Sequence, residues 1–194
     1  MTRTVLASIV LVVLVVLSSR AASAEPRNHD GFYVRLGVGP GYALGTLESN
    51  AGSDDSTGIN VSTQLAVGWT VRSGLVIGVG TFPMVVPSPS YDGIDAGGQH
   101  VSATGPFVDY YLDPRKGLHF QGGLLFALGY LDGGDRDAHV GAGYGATLGI
   151  GYDLFVTDEW SIGAIARATA YRLYGVDDSI RLVSPALLVS LVRH

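Results

Sequence analysis

From residue 31 onward the chain repeats one pattern: large apolar side chains at alternate positions, with small or polar residues between them. The first such stretch sets Phe32, Val34, Leu36, Val38, Tyr42 and Leu44, with Pro40 among them, against Tyr33, Arg35, Gly37, Gly39, Gly41 and Ala43. The second alternates Ile59, Val61, Thr63, Leu65, Val67, Trp69 and Val71 with Asn60, Ser62, Gln64, Ala66, Gly68, Thr70 and Arg72. A third lies near residues 74–83 and a fourth, the least regular, over 100–112, where Val108, Tyr110 and Leu112 form the apolar face. The fifth sets Leu118, Phe120, Leu124, Phe126, Leu128 and Tyr130 against His119, Gln121, Gly123, Ala127 and Gly129. The sixth interleaves Ala142, Tyr144, Ala146, Leu148, Ile150, Tyr152 and Leu154 with glycines, His139, Thr147 and Asp153. The seventh carries Trp160, Ile162, Ala164 and Ala166, and the eighth Val183, Leu187, Val189 and Leu191. Successive side chains of an extended strand point to opposite faces, so period two predicts eight β-strands and no helix in this region. Pro185, which has no N–H for a ladder, argues against a central place for the eighth strand.

The links alternate in length. Long polar loops are expected over 45–57 and 85–98, and a medium acidic one over 132–137. Short turns are expected at 72–74, 113–117 and 157–158. One trimmed rim and one elaborated rim is what antiparallel up-and-down hairpins produce in a membrane barrel.

Composition decides which solvent meets the apolar face. The 194 residues are 47% hydrophobic and 15% charged, with 28 Gly, no Cys and a single Lys, Lys116. A soluble barrel, lipocalin-like and periplasmic, would carry Lys, Glu and Asp on its outer face. Here the second face is Gly, Ala, Ser, Thr and Gln with scattered Arg and His, which suits a crowded interior. Hydrocarbon outside explains both faces, and it requires closure, because no ladder group can stay unpaired in lipid. Phe32, Trp69, Tyr110, Tyr152 and Trp160 fall at the short-turn end, and Tyr42 and Tyr130 at the long-loop end. Two belts of amphipathic rings at headgroup depth are expected from this placement.

Charge and cysteine content narrow the chemistry. A net charge of −5 excludes the clustered Lys and Arg that phosphate neutralisation on nucleic acid needs. The absence of Cys removes disulfide frameworks, thiolate metal sites and thiol nucleophiles. Arg3, the uncharged run 5–17 and Ala22-Ser23-Ala24 read in order as n-region, apolar core and small-x-small cleavage site. The run is too short for a helix across a ~30 Å hydrocarbon core. We therefore expect a signal peptide over 1–24 and a barrel domain over 25–194. Removal of Arg3 and Arg20 takes the net charge to −7.

The signal segment, Gly31-Phe32-Tyr33-Val34-Arg35-Leu36-Gly37, the Gly-x-Gly alternation of 141–151 and Trp160-Ser161-Ile162-Gly163 together resemble the small eight-stranded outer-membrane barrels of Gram-negative bacteria, the OmpA/OmpX-like group. The resemblance covers nearly the whole mature chain. It implies an all-β, antiparallel up-and-down transmembrane β-barrel of eight strands in the outer membrane. Outer-membrane lipid, lipopolysaccharide and the barrel assembly machinery are its implied partners. The chain departs from the group at Leu191-Val192-Arg193-His194, where such barrels usually end in an aromatic residue.

Eight strands enclose an interior just wide enough for side chains to fill, so no large pore is expected. The inward polar set is Arg35, Gln64, Arg72, His119, Gln121, His139, Asp153 and Arg167, expected as a paired network. A narrow water path is the alternative. Catalysis has one candidate: His100 and Ser102 share a strand face, similar to the His-x-Ser pair of the outer-membrane lipid A deacylases. There His would take the Ser proton and a carboxylate would orient the His. Asp109 and Asp113 are the nearest downstream acids. No metal-ligand spacing and no cofactor motif is present. Glu48, Asp54 and Asp55 would at most hold a divalent cation bridging to lipopolysaccharide. Loops 45–57 and 85–98 are where an extracellular partner would bind. The reading favoured by the residues is a non-enzymatic barrel with a structural or surface-interaction role.

Overall fold

The computed structural model describes residues 29, 31–49, 52–91, 94–95, 97–132, 137–175 and 178–194. The expected signal peptide lies outside them. Eleven strands follow in chain order. They are β1 (Phe32–Ser49), β2 (Gly52–Arg72), β3 (Leu75–Thr81), β4 (Met84–Val86), β5 (Ser90–Tyr91), β6 (Ile94–Asp95), β7 (Gln99–Tyr111), β8 (Leu118–Asp132), β9 (Asp137–Phe155), β10 (Trp160–Tyr174) and β11 (Asp178–Arg193).

All pairings are antiparallel, and β1 pairs with both β2 and, at the far end of the chain, β11. That last pairing closes the sheet into an up-and-down ring of eight staves, with β3 and β4 as two parts of one stave. Thr81 and Met84 keep the same register against β2 and against β7. The gap is Phe82-Pro83, where proline has no N–H to continue the ladder. Phe82 still donates its N–H to the Ala103 carbonyl, and the Pro83 carbonyl accepts from Thr63.

The faces follow the alternation. Ile59, Leu124 and Leu148 are each about 70% exposed on the outside, while Arg35, His119 and Asp109 are fully buried inside. The apolar outer face excludes the soluble lipocalin-like arrangement, whose outer face is polar. Phe32 packs edge-on against Trp69, with ring centroids 5.8 Å apart, at the short-turn end. Tyr42, Tyr110 and Tyr152 are likewise exposed on the outer face, and Tyr130 and Trp160 are half-buried.

Three sequence expectations change. Residues 45–57 are not a loop: β1 and β2 stay paired up to Ser49↔Gly52. The apolar alternation stops at Leu44 because the tip of the hairpin, residues 52–55, meets water on both faces, while the backbone ladder continues. Residues 85–98 are also partly ordered as strand, since β5 pairs with β2 at Ser56↔Tyr91 and with β6 beyond it. Pro185 stands within a central strand, paired with Ala168 of β10. The ladder is interrupted on its other side, where Tyr42 and Ala43 have no partner in β11. With its amide turned to satisfy both ends, Asn60 accepts from the Tyr42 and Ala43 N–H groups at 3.2 Å and donates to Ser62. A lumen side chain thus takes up donors left free beside the proline.

Candidate functional site

The inward face has two regions. Towards the short turns it is a continuous polar network centred on Arg35 of β1. The guanidinium donates through Nε to Tyr33 Oη (2.6 Å), through Nη1 to Ser190 (3.0 Å), and through Nη2 to Tyr111 Oη (3.0 Å) and Asp153 Oδ2 (2.7 Å). Asp109 Oδ2 lies 3.3 Å from Nη2. Each tyrosine passes its own proton onward: Tyr33 donates to Asp109 and Tyr111 to Asp153, both at 2.7 Å. Arg35 therefore sits between two carboxylates, and each phenol links it to one of them. A buried charge tolerates removal from water only with such pairing and hydrogen bonding.

The network continues up the barrel. Gln121 donates to Asp109 (3.2 Å), Gln64 donates to Gln121 (3.0 Å), and Arg167 donates to Gln64 (3.3 Å). The two amides run in one direction, each accepting from the cation side and donating towards the anion side. Two arginines and two aspartates leave the ionic set formally neutral. His119 joins below, with Nδ1 donating to the Gly117 carbonyl at 3.0 Å and lying 3.5 Å from Asp153. Glycine makes this space: a Cβ on Gly163 would collide with the Asp153 carboxylate, and one on Gly151 with the His119 ring.

The short-turn mouth is capped. His29, which precedes β1, stacks on Tyr111 with centroids 3.7 Å apart. His194, which follows β11, meets it edge-on and lies within hydrogen-bond distance, 2.9 Å. Burial lowers both imidazoles below the usual histidine range, His29 to about 3. His194 is held in turn by its N–H to the Glu159 carbonyl, and Arg193 pairs with the Glu159 side chain.

Towards the outer rim the lumen is apolar. Phe82, Met84, Val86, Val101, Ala103, Ala127, Leu173 and Leu182 are all buried to 1% or less and belong to one core cluster. Tyr171 reaches into it and donates to the Phe82 carbonyl at 2.9 Å, bracing the Phe82-Pro83 interruption from the opposite wall. Arg167 marks the boundary, with its guanidinium 5.5 Å from the Phe82 ring centroid.

Of the inward residues named from sequence, Arg35, Gln64, His119, Gln121, Asp153 and Arg167 are brought together in this chain of contacts. Arg72 is not. It lies exposed at the end of β2, where the pairing with β3 shifts register between Thr70 and Arg72 and the strand leaves the ring. The side chain of His139 lies outside the described residues. Tyr33, Tyr111, Ser190, His29 and His194 also belong to the network or its cap, outside the inward polar set expected from sequence, and so does Asp109, which the sequence offers only as an acid for His100. Alternation alone would have found Asp109 and Tyr111, since they flank the outward Val108, Tyr110 and Leu112. Nothing periodic marks His29 or His194.

The hydrolase constellation is not assembled. His100 and Ser102 lie on the outer face of β7, because Val101 and Ala103 take the lumen. Asp109 is inside the barrel, nine residues or about 30 Å further along the same strand. Asp113 is in the turn at the opposite end, bound to Lys116 at 3.1 Å. Glu48 is engaged by Arg181 (3.2 Å) and Asp55 by the Thr46 hydroxyl (3.1 Å). No group of three or more potential ligands that would hold a metal occurs among the described residues.

No protein-family model matches the chain, and no curated protein matches it in sequence. Solved structures do match in fold. Neisserial surface protein A superposes with a TM-score of 0.59 at 17% identity, over 84% of this chain and 96% of that one. The outer membrane protein OprG of Pseudomonas aeruginosa gives 0.55 at 8% identity, over 87% and 98%. Together with the apolar band outside and the closed ring of eight staves, these comparisons establish that the chain has the fold of the small eight-stranded outer-membrane β-barrels.

Proposed function

We propose that this barrel is a non-conducting integral protein of the outer membrane whose work is done at the cell surface, by the hairpins that project beyond its apolar band. The observation that carries the reading is the filled lumen. The His29–His194 cap, the Arg35 network and the Phe82 cluster occupy successive levels, so a solute would have to displace all three. What remains exposed to a partner is the β1–β2 extension, where Ser53, Asp54 and Asp55 are accessible. A rigid scaffold carrying accessible hairpins is the common arrangement for binding. The acidic tips and the single lysine favour a basic partner over an acidic one. The barrel would be exported by its first 24 residues and inserted by the barrel assembly machinery.

Planar-bilayer recording of the refolded protein tests this directly. We expect silence at potentials where a porin conducts; stepwise conductance would overturn the reading. Lipid A from cells with and without the protein is expected to carry the same acyl chains. Loss of a chain dependent on His100 and Ser102 would instead establish hydrolysis.

A further inference from the structure

At the level where the outer apolar band ends, two arginines face each other across neighbouring strands. Arg172 of β10 is the direct partner of Arg181 of β11. Like charges directly opposite destabilise a sheet. Among the described residues only one of the two has an acid: Arg181 reaches Glu48 at 3.2 Å. The Arg172 guanidinium lies over the Tyr174 ring, 5.4 Å from its centroid, and its Nε is buried with no partner. Tyr174 in turn is tied to Tyr144 through their hydroxyls at 3.1 Å. The row across the wall reads Tyr144, Arg172, Arg181, Thr46. The next row inward reads Ala146, Ala170, Val183, Leu44, which is wholly apolar. The arginines therefore stand at headgroup depth on the long-loop side.

Below Arg172, the outward face of β10 is Ala170, Ala168, Ala166 and Ala164, all exposed. Beside Ala168, Ala166 and Ala164 the rows are bulkier, Leu148, Ile150 and Tyr152 on β9 and Pro185, Leu187 and Val189 on β11, while beside Ala170 the furrow widens over Ala146 and is edged by Val183. The result is a furrow six residue steps long, about 20 Å along the strand. At a tilt of about 45° it spans roughly one leaflet of a ~30 Å hydrocarbon core. A cationic pair heads the furrow, and the furrow is the width of a missing side-chain row.

We propose that Arg172 and Arg181 clamp a phosphate of the phosphorylated glycolipid of the outer leaflet, with one of its acyl chains lying in the alanine furrow. Guanidinium forks match phosphate oxygens bidentately. A monoester phosphate carries about −1.5 to −2 charge near neutrality, enough to compete with the single charge of Glu48 for Arg181 while still engaging Arg172, which the single charge of a diester is not. The proposal rests on the membrane placement of the barrel and not on its silence. A conducting barrel that still bound the lipid would sink only the function proposed above.

The test uses the full-length barrel in detergent micelles, with folding checked by heat-modifiable gel mobility and lipid binding read by native mass spectrometry and thermal midpoint. Lipid A carrying its phosphates is expected to bind and raise the midpoint. Dephosphorylated lipid A, and the Arg172→Gln/Arg181→Gln variant with intact lipid A, are each expected to lose at least tenfold in affinity. Ala168→Phe fills the furrow without touching charge and is expected to weaken binding several-fold, whereas Arg115→Gln at the opposite rim should bind as the parent does. Equal binding of dephosphorylated lipid A, or full binding by the double variant, overturns the clamp. Equal binding of phosphatidylglycerol, or displacement by millimolar inorganic phosphate, overturns the assignment to the glycolipid.

Discussion

The two halves of the lumen solve one packing problem with opposite chemistry. Near the short turns the space is organised by charge, Arg35 held between Asp109 and Asp153 and wired through two phenols, with Val76, Ile165, Leu188 and Val192 buried beside it. Near the outer rim it is filled by hydrocarbon around Phe82, Met84 and Leu173. Ionic filling is directional, so each member depends on its partners. Apolar filling is non-directional and tolerates exchange if volume is kept. The polar half is thus expected to hold strand register, and the apolar half to occlude. The largest effect should come from breaking the ionic half. Arg35→Leu leaves two carboxylates buried at its centre, and one-sided loss of a buried pair costs about 3–5 kcal/mol. Urea unfolding in micelles measures this. Adding Asp109→Asn and Asp153→Asn to Arg35→Leu should recover most of the loss, since it removes the uncompensated charges. If the triple variant is no better than the single one, the network is not ionic in the sense described.

The apolar half should respond less and without partners. Phe82→Ala removes a fully buried ring and is expected to cost about 3 kcal/mol, within the range for such truncations. Phe82→Leu should restore much of it. Charge variants below should add to it independently, apart from the boundary contact with Arg167. Strong coupling between Phe82→Ala and Arg35→Leu would mean that the halves are one unit.

The contrast between the halves was only partly legible in the sequence. Period two gave the strands and their faces, because a wall one strand thick between lipid and lumen enforces alternation. Arg35, Gln121 and Asp153 were found by the same rule. The outer half was harder. Leu125, Leu173 and Leu182 point inward beside outward apolar neighbours, so both faces are oily there and the period fades. The reach of the hairpins was missed for a related reason: residues 45–57 carry no apolar alternation, yet their ladder persists in water. Arg72 was misplaced because alternation says nothing about where a strand leaves the ring. His29 and His194 lie outside the periodic segments, and only the closed structure brings 29 and 194 together.

That cap supplies the smallest effect and separates the two halves by pH. His29 has its folded pKa lowered to about 3 by burial, against an unfolded value near 6.5. Between those limits the unfolded chain binds the extra proton. The contribution of the neutral imidazole is therefore complete above pH 6.5 and declines as pH falls towards 3. The slope approaches ~1.4 kcal/mol per pH unit for one such group. His194, also held neutral by burial and by its neighbour, acts in the same direction. Urea midpoints taken from pH 7.5 to 4.5 should fall, and His29→Phe, which keeps a ring stacked on Tyr111, should flatten the profile. Phe82→Ala should shift the whole profile down and leave its shape unchanged, because its polar neighbours, Tyr171 and Arg167, keep one protonation state between pH 4.5 and 7.5. A profile that keeps its slope when His29→Phe and His194→Phe are combined would place the acid sensitivity outside the cap.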